Sequence, residues 1–188
     1  MTDLALGVRR AAWGVRALAV VLGAVLVALA AQVSVPLPGT PVPMTLQPMA
    51  VLLVGGLLGA RFGALSMILY LAMGAAGLPV FTPSPLLLPG IARLFGQTGG
   101  YLLAYPIAAY AVGAVVANGS GVWRVACGVL AGLVLIHLGG LAQLAILTGD
   151  VSAAARFGTV PFLLGDLLKI AVLVPVLTQL TPTIRARL

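Results

Sequence analysis

One carboxylate and one ammonium stand three residues apart near the C-terminus, in the run Pro161-Phe162-Leu163-Leu164-Gly165-Asp166-Leu167-Leu168-Lys169. Lys169 is the only lysine of the chain, and there is no glutamate at all. On a helix, residues spaced i, i+3 share one face, about 60° apart around the axis. Aspartate offers only acceptors and lysine only donors. Together they suit a ligand bearing both kinds of group, such as a cyclic urea or amide with a carboxylate tail, and binding it requires no bond making. The surrounding residues are apolar, so the pair falls at hydrocarbon depth if the segment spans a membrane. Ionisable groups there face a cavity or a partner and mark functional sites by default. The competing reading is a self-neutralising pair that only fixes helix packing; the ligand-binding reading is favoured.

Other polar side chains carry less. His137 lies mid-way along an apolar run before Gly139-Gly140, and Gln143 follows six residues later. A lone histidine in such a run is more often a hydrogen-bonded packing residue than a ligand contact. Cys127 is the single cysteine, sits among apolar residues and forms no intrachain disulfide, so it is expected to be a small packing residue. No second His, Glu or Cys stands near enough in sequence to suggest a metal site. The patterns GxxxxGK[ST], HExxH and GxSxG are all absent. The chain is therefore expected not to be an enzyme and to need no cofactor. Any active transport would draw on an ion gradient or on partner subunits.

The elements that must position these residues follow from composition. Of 188 residues, 62% are hydrophobic and 7% charged, with a mean hydropathy of +1.21. Soluble domains carry about 25% charged residues, so this chain has too few charges to cover a water-facing surface. It is expected to be an all-α, polytopic membrane protein with six transmembrane helices and irregular outer loops, residues 1–188 forming one domain. The helices are placed at 17–35, 46–58, 62–77, 98–117, 123–147 and 160–180. Gly59-Ala60-Arg61 breaks the second from the third, and Asn118-Gly119-Ser120-Gly121 is a turn. Residues 36–44 and 78–97 are proline-rich and irregular, and residues 148–159 form a loop before the last helix. Arg9, Arg10 and Arg16 ahead of an apolar run, with Ala28-Leu29-Ala30 after it, resemble a secretory signal. The run is long for one, and it is expected to be retained as the first helix.

The net charge of +7 comes from arginines scattered singly between apolar stretches, which argues for topology signals rather than nucleic-acid binding. With the N-terminus inside, Arg9, Arg10, Arg16, Arg61, Arg124, Arg185 and Arg187 collect on one face. Only Arg93 and Arg156 fall on the other. Both termini are thus expected to be cytoplasmic, in a bacterial inner membrane. Irregular backbone at membrane depth survives only against protein or a water-filled space, so the proline-rich stretches should roof an outward-facing cavity. In the first helix Ala19, Gly23 and Val27, and separately Ala24 and Ala28, form small-residue stripes. These serve either close packing within the bundle or a partner helix.

Four segments, in order, resemble one family: Pro41-Val42-Pro43-Met44-Thr45-Leu46-Gln47, the run LLGARFGALSMILYLAMGAAGLPVF at 57–81, FGQTGGYLLAYP at 95–106, and PFLLGDLLK at 161–169. Together they are similar to the BioY family, the biotin-binding S components of energy-coupling factor transporters. The resemblance implies a six-helix membrane fold that captures biotin from outside. It also implies a partner module of two cytoplasmic ATPases and a transmembrane coupling subunit. By the same resemblance Asp166 and Lys169 contact the ligand, residues 41–47 act as a lid with Thr45 and Gln47 as substrate-binding residues, and Ala24 with Ala28 meets the coupling subunit. Backbone groups around Gly99 and Gly100 complete the expected site. The chain departs from the family at Thr82-Pro83-Ser84-Pro85-Leu86-Leu87-Leu88-Pro89-Gly90, which is bulkier and richer in proline than usual; Ser84 or Thr82 is expected to supply a polar contact there. The alternatives are a standalone gradient-driven carrier and a ligand-free structural subunit of a membrane complex.

Overall fold

In the computed structural model, residues 2–84, 87–119 and 121–186 are described, the first eleven of them by backbone alone. Ser120, Pro85, Leu86 and Arg187, which the sequence reading placed in a turn, a roof loop and a basic tail, lie outside the described residues. The chain runs as helix α1 (Thr2–Gln32), strands β1 (Ser34–Val35) and β2 (Met44–Thr45), then helices α2 (Gln47–Ala75), α3 (Gly99–Ala117), α4 (Val122–Thr148), α5 (Val151–Gly158) and α6 (Leu163–Arg185). Two 3-10 turns, Gly90–Phe95 and Val160–Phe162, precede α3 and α6. Five segments, Trp13–Gln32, Gln47–Ala75, Gly99–Ala117, Val122–Thr148 and Val151–Arg185, are long and apolar enough to cross a membrane. Their outward faces carry Leu18, Leu29, Ile68, Ile107, Ile146 and Leu167, all exposed. An apolar exterior over a packed interior is the pattern of a chain whose solvent is lipid.

The break expected at Gly59 reverses the chain within α2. Gly59 has φ 83° and ψ 174°, a conformation open essentially to glycine alone. Had the helix continued, residues 47 and 70 would stand about 35 Å apart. Instead Gln47 Nε2 hydrogen-bonds the Tyr70 hydroxyl. A Cβ added at Gly63 would lie 2.8 Å from Gly55 Cα, so the two arms touch along bare backbone. Both second and third expected helices are therefore present, joined as a tight antiparallel hairpin.

The same economy of side chain brings α3 against α4. A Cβ at Gly100 would meet Gly139 O at 2.1 Å, and one at Gly139 would meet Gly100 O at 2.5 Å. Small residues let helix backbones approach and gain dispersion contact in lipid, where no hydrophobic force drives association. Fully buried Leu52, Met67, Ile136, Leu173 and Leu177 fill the space between the helices.

Basic residues cluster at one end of the bundle. Arg185 Nη2 donates to Gly56 O (2.7 Å) and Gly113 O (3.2 Å), tying the end of α6 to the α2 hairpin and α3. The Arg16 guanidinium lies 5.8 Å from the Phe62 ring centroid, one residue beyond Arg61. The irregular stretches gather at the other end.

There the structure corrects the sequence reading twice. Helix one stops at Gln32 rather than 35, because Ser34 and Val35 pair antiparallel with Thr45 and Met44. This pairing satisfies loop amides that would otherwise stand unbonded. The expected loop at 148–159 contains α5, whose start is capped by Asp150 accepting from the Ser152 amide at 2.7 Å.

Candidate ligand-binding site

A cavity of about 630 Å³, its open mouth included, lies at the loop end of the bundle between α3, α4 and α6. Its polar groups fall into three sets, each held by a different part of the fold.

The first set joins α6 to α4. Asp166 and Lys169 are 6% and 8% exposed, and Lys169 Nζ donates to Asp166 Oδ1 at 2.8 Å. The second carboxylate oxygen, Oδ2, stands 2.6 Å from His137 Nε2 on α4. Both oxygens of the acid are thus engaged by the chain's own groups, and Nζ keeps further protons for a ligand.

The second set centres on Gln47 at the start of α2. Its Oε1 accepts from Thr82 Oγ1 at 2.8 Å and from Thr45 Oγ1 at 3.3 Å. The Tyr70 hydroxyl that bonds its amide nitrogen donates in turn to Val80 O at 3.2 Å. The network ties β2, the α2 hairpin and the stretch after α2 into one wall.

The third set is a single cation. Arg93, in the Gly90–Phe95 turn, is 6% exposed; its Nε donates to Leu88 O at 2.6 Å and its Nη2 to Thr82 O at 3.1 Å. Among the described residues it has no carboxylate partner, since the ion pairs there all converge on Asp166. Burial lowers the proton affinity of the guanidinium, and an anionic group beside it would act in the opposite direction. Between the polar sets the walls are apolar and aromatic: Phe81, Tyr101, Tyr105, Leu133, Ile136 and Phe162.

The BioY family profile matches residues 5–186. This chain belongs to the BioY family. Among its relatives are a probable biotin transporter BioY from Pyrococcus horikoshii, 38% identical over 86% of this chain and 93% of that one, and the biotin transporter BioY of Thermotoga maritima, 38% identical over 78% and 84%. The fold is similar to a crystal structure of the S component for biotin from an ECF-type ABC transporter. The TM-score is 0.78 at 24% sequence identity, covering 88% of this chain and 89% of that one.

In this BioY-family chain, four of the seven residues expected to bind substrate line the cavity: Asp166, Lys169, Thr45 and Gln47. Ser84 is not among the lining residues, whereas Thr82 is. Gly99 and Gly100 do not line the cavity either. They are buried at the start of α3, where a Cβ would meet Leu94 O and Gly139 O; Thr98 and Tyr101 line the cavity there. Ala24 is fully buried, and Ala28 is partly buried and packs against the same core. A Cβ at neighbouring Gly23 would lie 2.6 Å from Ser66 Oγ, and the outward face of α1 is Leu18, Val21, Leu22, Val25 and Leu29.

Arg93 and the partnership of His137 with Asp166 were not foreseen. Arg93 did carry a signal: it is one of two arginines that break the one-sided charge pattern. An arginine placed against that bias, among prolines, has a reason to be there.

Proposed function

We propose that this chain is the membrane-embedded capture component for biotin, working with the ATP-driven module of an energy-coupling factor transporter. The observation that carries this reading is the charge and shape of the cavity. Asp166 contributes one negative charge and Lys169 and Arg93 two positive, so these three side chains carry one net positive charge. Biotin has one carboxylate, a ureido ring offering two N–H donors and a carbonyl, and an apolar bicycle. The bicycle fits the aromatic and aliphatic walls. Lys169 and Asp166 supply a donor and an acceptor side by side, and Arg93 supplies a second cationic anchor. Thr45, Gln47 and Thr82 offer neutral polar contacts. Hydrogen bonds to charged groups are worth about 1.5–3 kcal/mol each, so a few of them with ring burial support tight binding.

In this reading the two arms of α2 both cross, giving six crossings with Trp13–Gln32, α3, α4 and α6. At about 18 and 24 Å the arms are short for a core of about 30 Å, and local thinning accommodates them. The arginine end faces the cytoplasm with both termini, in the inner membrane, and the cavity faces out. Energy comes from two cytoplasmic ATPases through a transmembrane coupling subunit, which meets the exposed stripe of α1 rather than Ala24.

Titrating the purified full-length protein with labelled biotin tests the capture reading. Saturable binding, competed by unlabelled biotin and weakened at least tenfold by Asp166→Asn and by Lys169→Ala, is expected. Absence of saturable binding by the unsubstituted protein would end it.

A further inference from the structure

His137 is the single histidine of the chain and lines the cavity from α4. Its Nε2 is 2.6 Å from Asp166 Oδ2, while its Nδ1 is buried without a hydrogen-bond partner among the described residues. Asp166 is already neutralised within α6 by Lys169 at 2.8 Å, so charge balance alone does not call for a histidine. A leucine at this position would fill the space without leaving a buried nitrogen unpaired, which is costly. What the histidine adds is geometric. The terminal torsion of an aspartate is broad, and a carboxylate held by one oxygen swings. Donors on both oxygens, from two different helices, fix its plane. With Asp166 ionised, Nε2 carries the proton of this contact, in either the neutral or the cationic ring.

We propose that His137 is a positioning residue of the capture site: by donating from Nε2 to Asp166 Oδ2 it fixes the plane of the carboxylate, and thereby the direction in which the remaining Lys169 ammonium protons face the ligand. This rests on the biotin-capture reading. Lys169 spends one proton on Asp166 Oδ1. The others point where the carboxylate holds the ammonium, and His137 determines where that is.

The test uses full-length His137→Leu, His137→Gln and His137→Asn beside the unsubstituted protein, titrated with labelled biotin well below each variant's unfolding temperature. Glutamine carries its amide nitrogen four bonds from Cα, as Nε2 is; asparagine carries it three bonds away, as Nδ1 is. Leucine is expected to weaken binding by about tenfold or more. Glutamine should recover most of that loss and asparagine little of it. A filler role would instead follow volume, so that leucine binds at least as tightly as glutamine, and that order overturns the proposal. If leucine prevents folding, His137→Met, as long as glutamine but without a donor, takes its place in the comparison. Unsubstituted affinity in the leucine variant, or equal affinities for glutamine and asparagine, overturns the proposal while leaving biotin capture intact. No biotin binding by the unsubstituted protein overturns the capture reading and this proposal with it.

Discussion

Asp166 is held at both oxygens, by Lys169 on α6 and His137 on α4, and the proposed capture of biotin rests on this arrangement. Arg93 stands apart, donating among the described residues to the backbone carbonyls of Leu88 and Thr82. If it anchors the ligand's carboxylate, Arg93→Gln should weaken biotin by about tenfold or more and an uncharged biotin amide far less. Parallel titrations with the two ligands measure this, and an equal loss for both would assign Arg93 to holding the loop instead. The exchange Asp166→Lys with Lys169→Asp keeps the pair neutral but moves the acid away from His137. A pair serving only packing would tolerate it; the site described above should lose binding while the protein stays folded by near-invariant helical circular dichroism.

Helices reach this arrangement through backbone contact. The α2 hairpin is the clearest case, because it delivers Gln47 to Tyr70 and closes one wall of the cavity. Gly59→Ala is expected to cost about 1–3 kcal/mol, since φ 83° with ψ 174° penalises any Cβ. A lowered unfolding temperature in detergent, with little change in biotin affinity of the protein that remains folded, would show the cost to lie in the turn. Gly139→Leu should be worse, because the side chain would meet Gly100 backbone and push α4, with His137, away from α3. Here folding and binding should fall together, and retained affinity would separate the α3–α4 approach from the site.

Across the whole molecule, charge is arranged along one axis, with Arg16 and Arg185 at one end and the cavity, with its single Arg93, at the other. The proposed orientation predicts that a cysteine placed at Asn118, with Cys127 replaced by alanine, is protected from membrane-impermeant reagents in intact cells. One at Gly39 should be labelled. The reverse pattern would turn the cavity to the cytoplasm and remove the capture reading. Uptake should also depend on a coexpressed ATPase module. Accumulation in a host without any such module, abolished by an uncoupler, would instead identify a standalone carrier.

Lipid as solvent made the gross architecture legible in the sequence. A chain so poor in charge has to bury itself in a bilayer. Its helices show as apolar runs, its turns as Gly, Pro and Asn, and its ionisable side chains stand out. Asp166 and Lys169 were visible because three residues on a helix is a local distance. Local rules said nothing of contacts between segments far apart in the chain: His137 lies twenty-nine residues from Asp166, and Gln47 thirty-five from Thr82. The small residues of α1 and α3 were equally ambiguous, since a stripe that permits close approach does not say to what. Ala24 proved to face the chain's own core, and Gly100 a neighbouring helix rather than the cavity. Helix rotation settles such choices, and rotation is set by packing among all the helices at once.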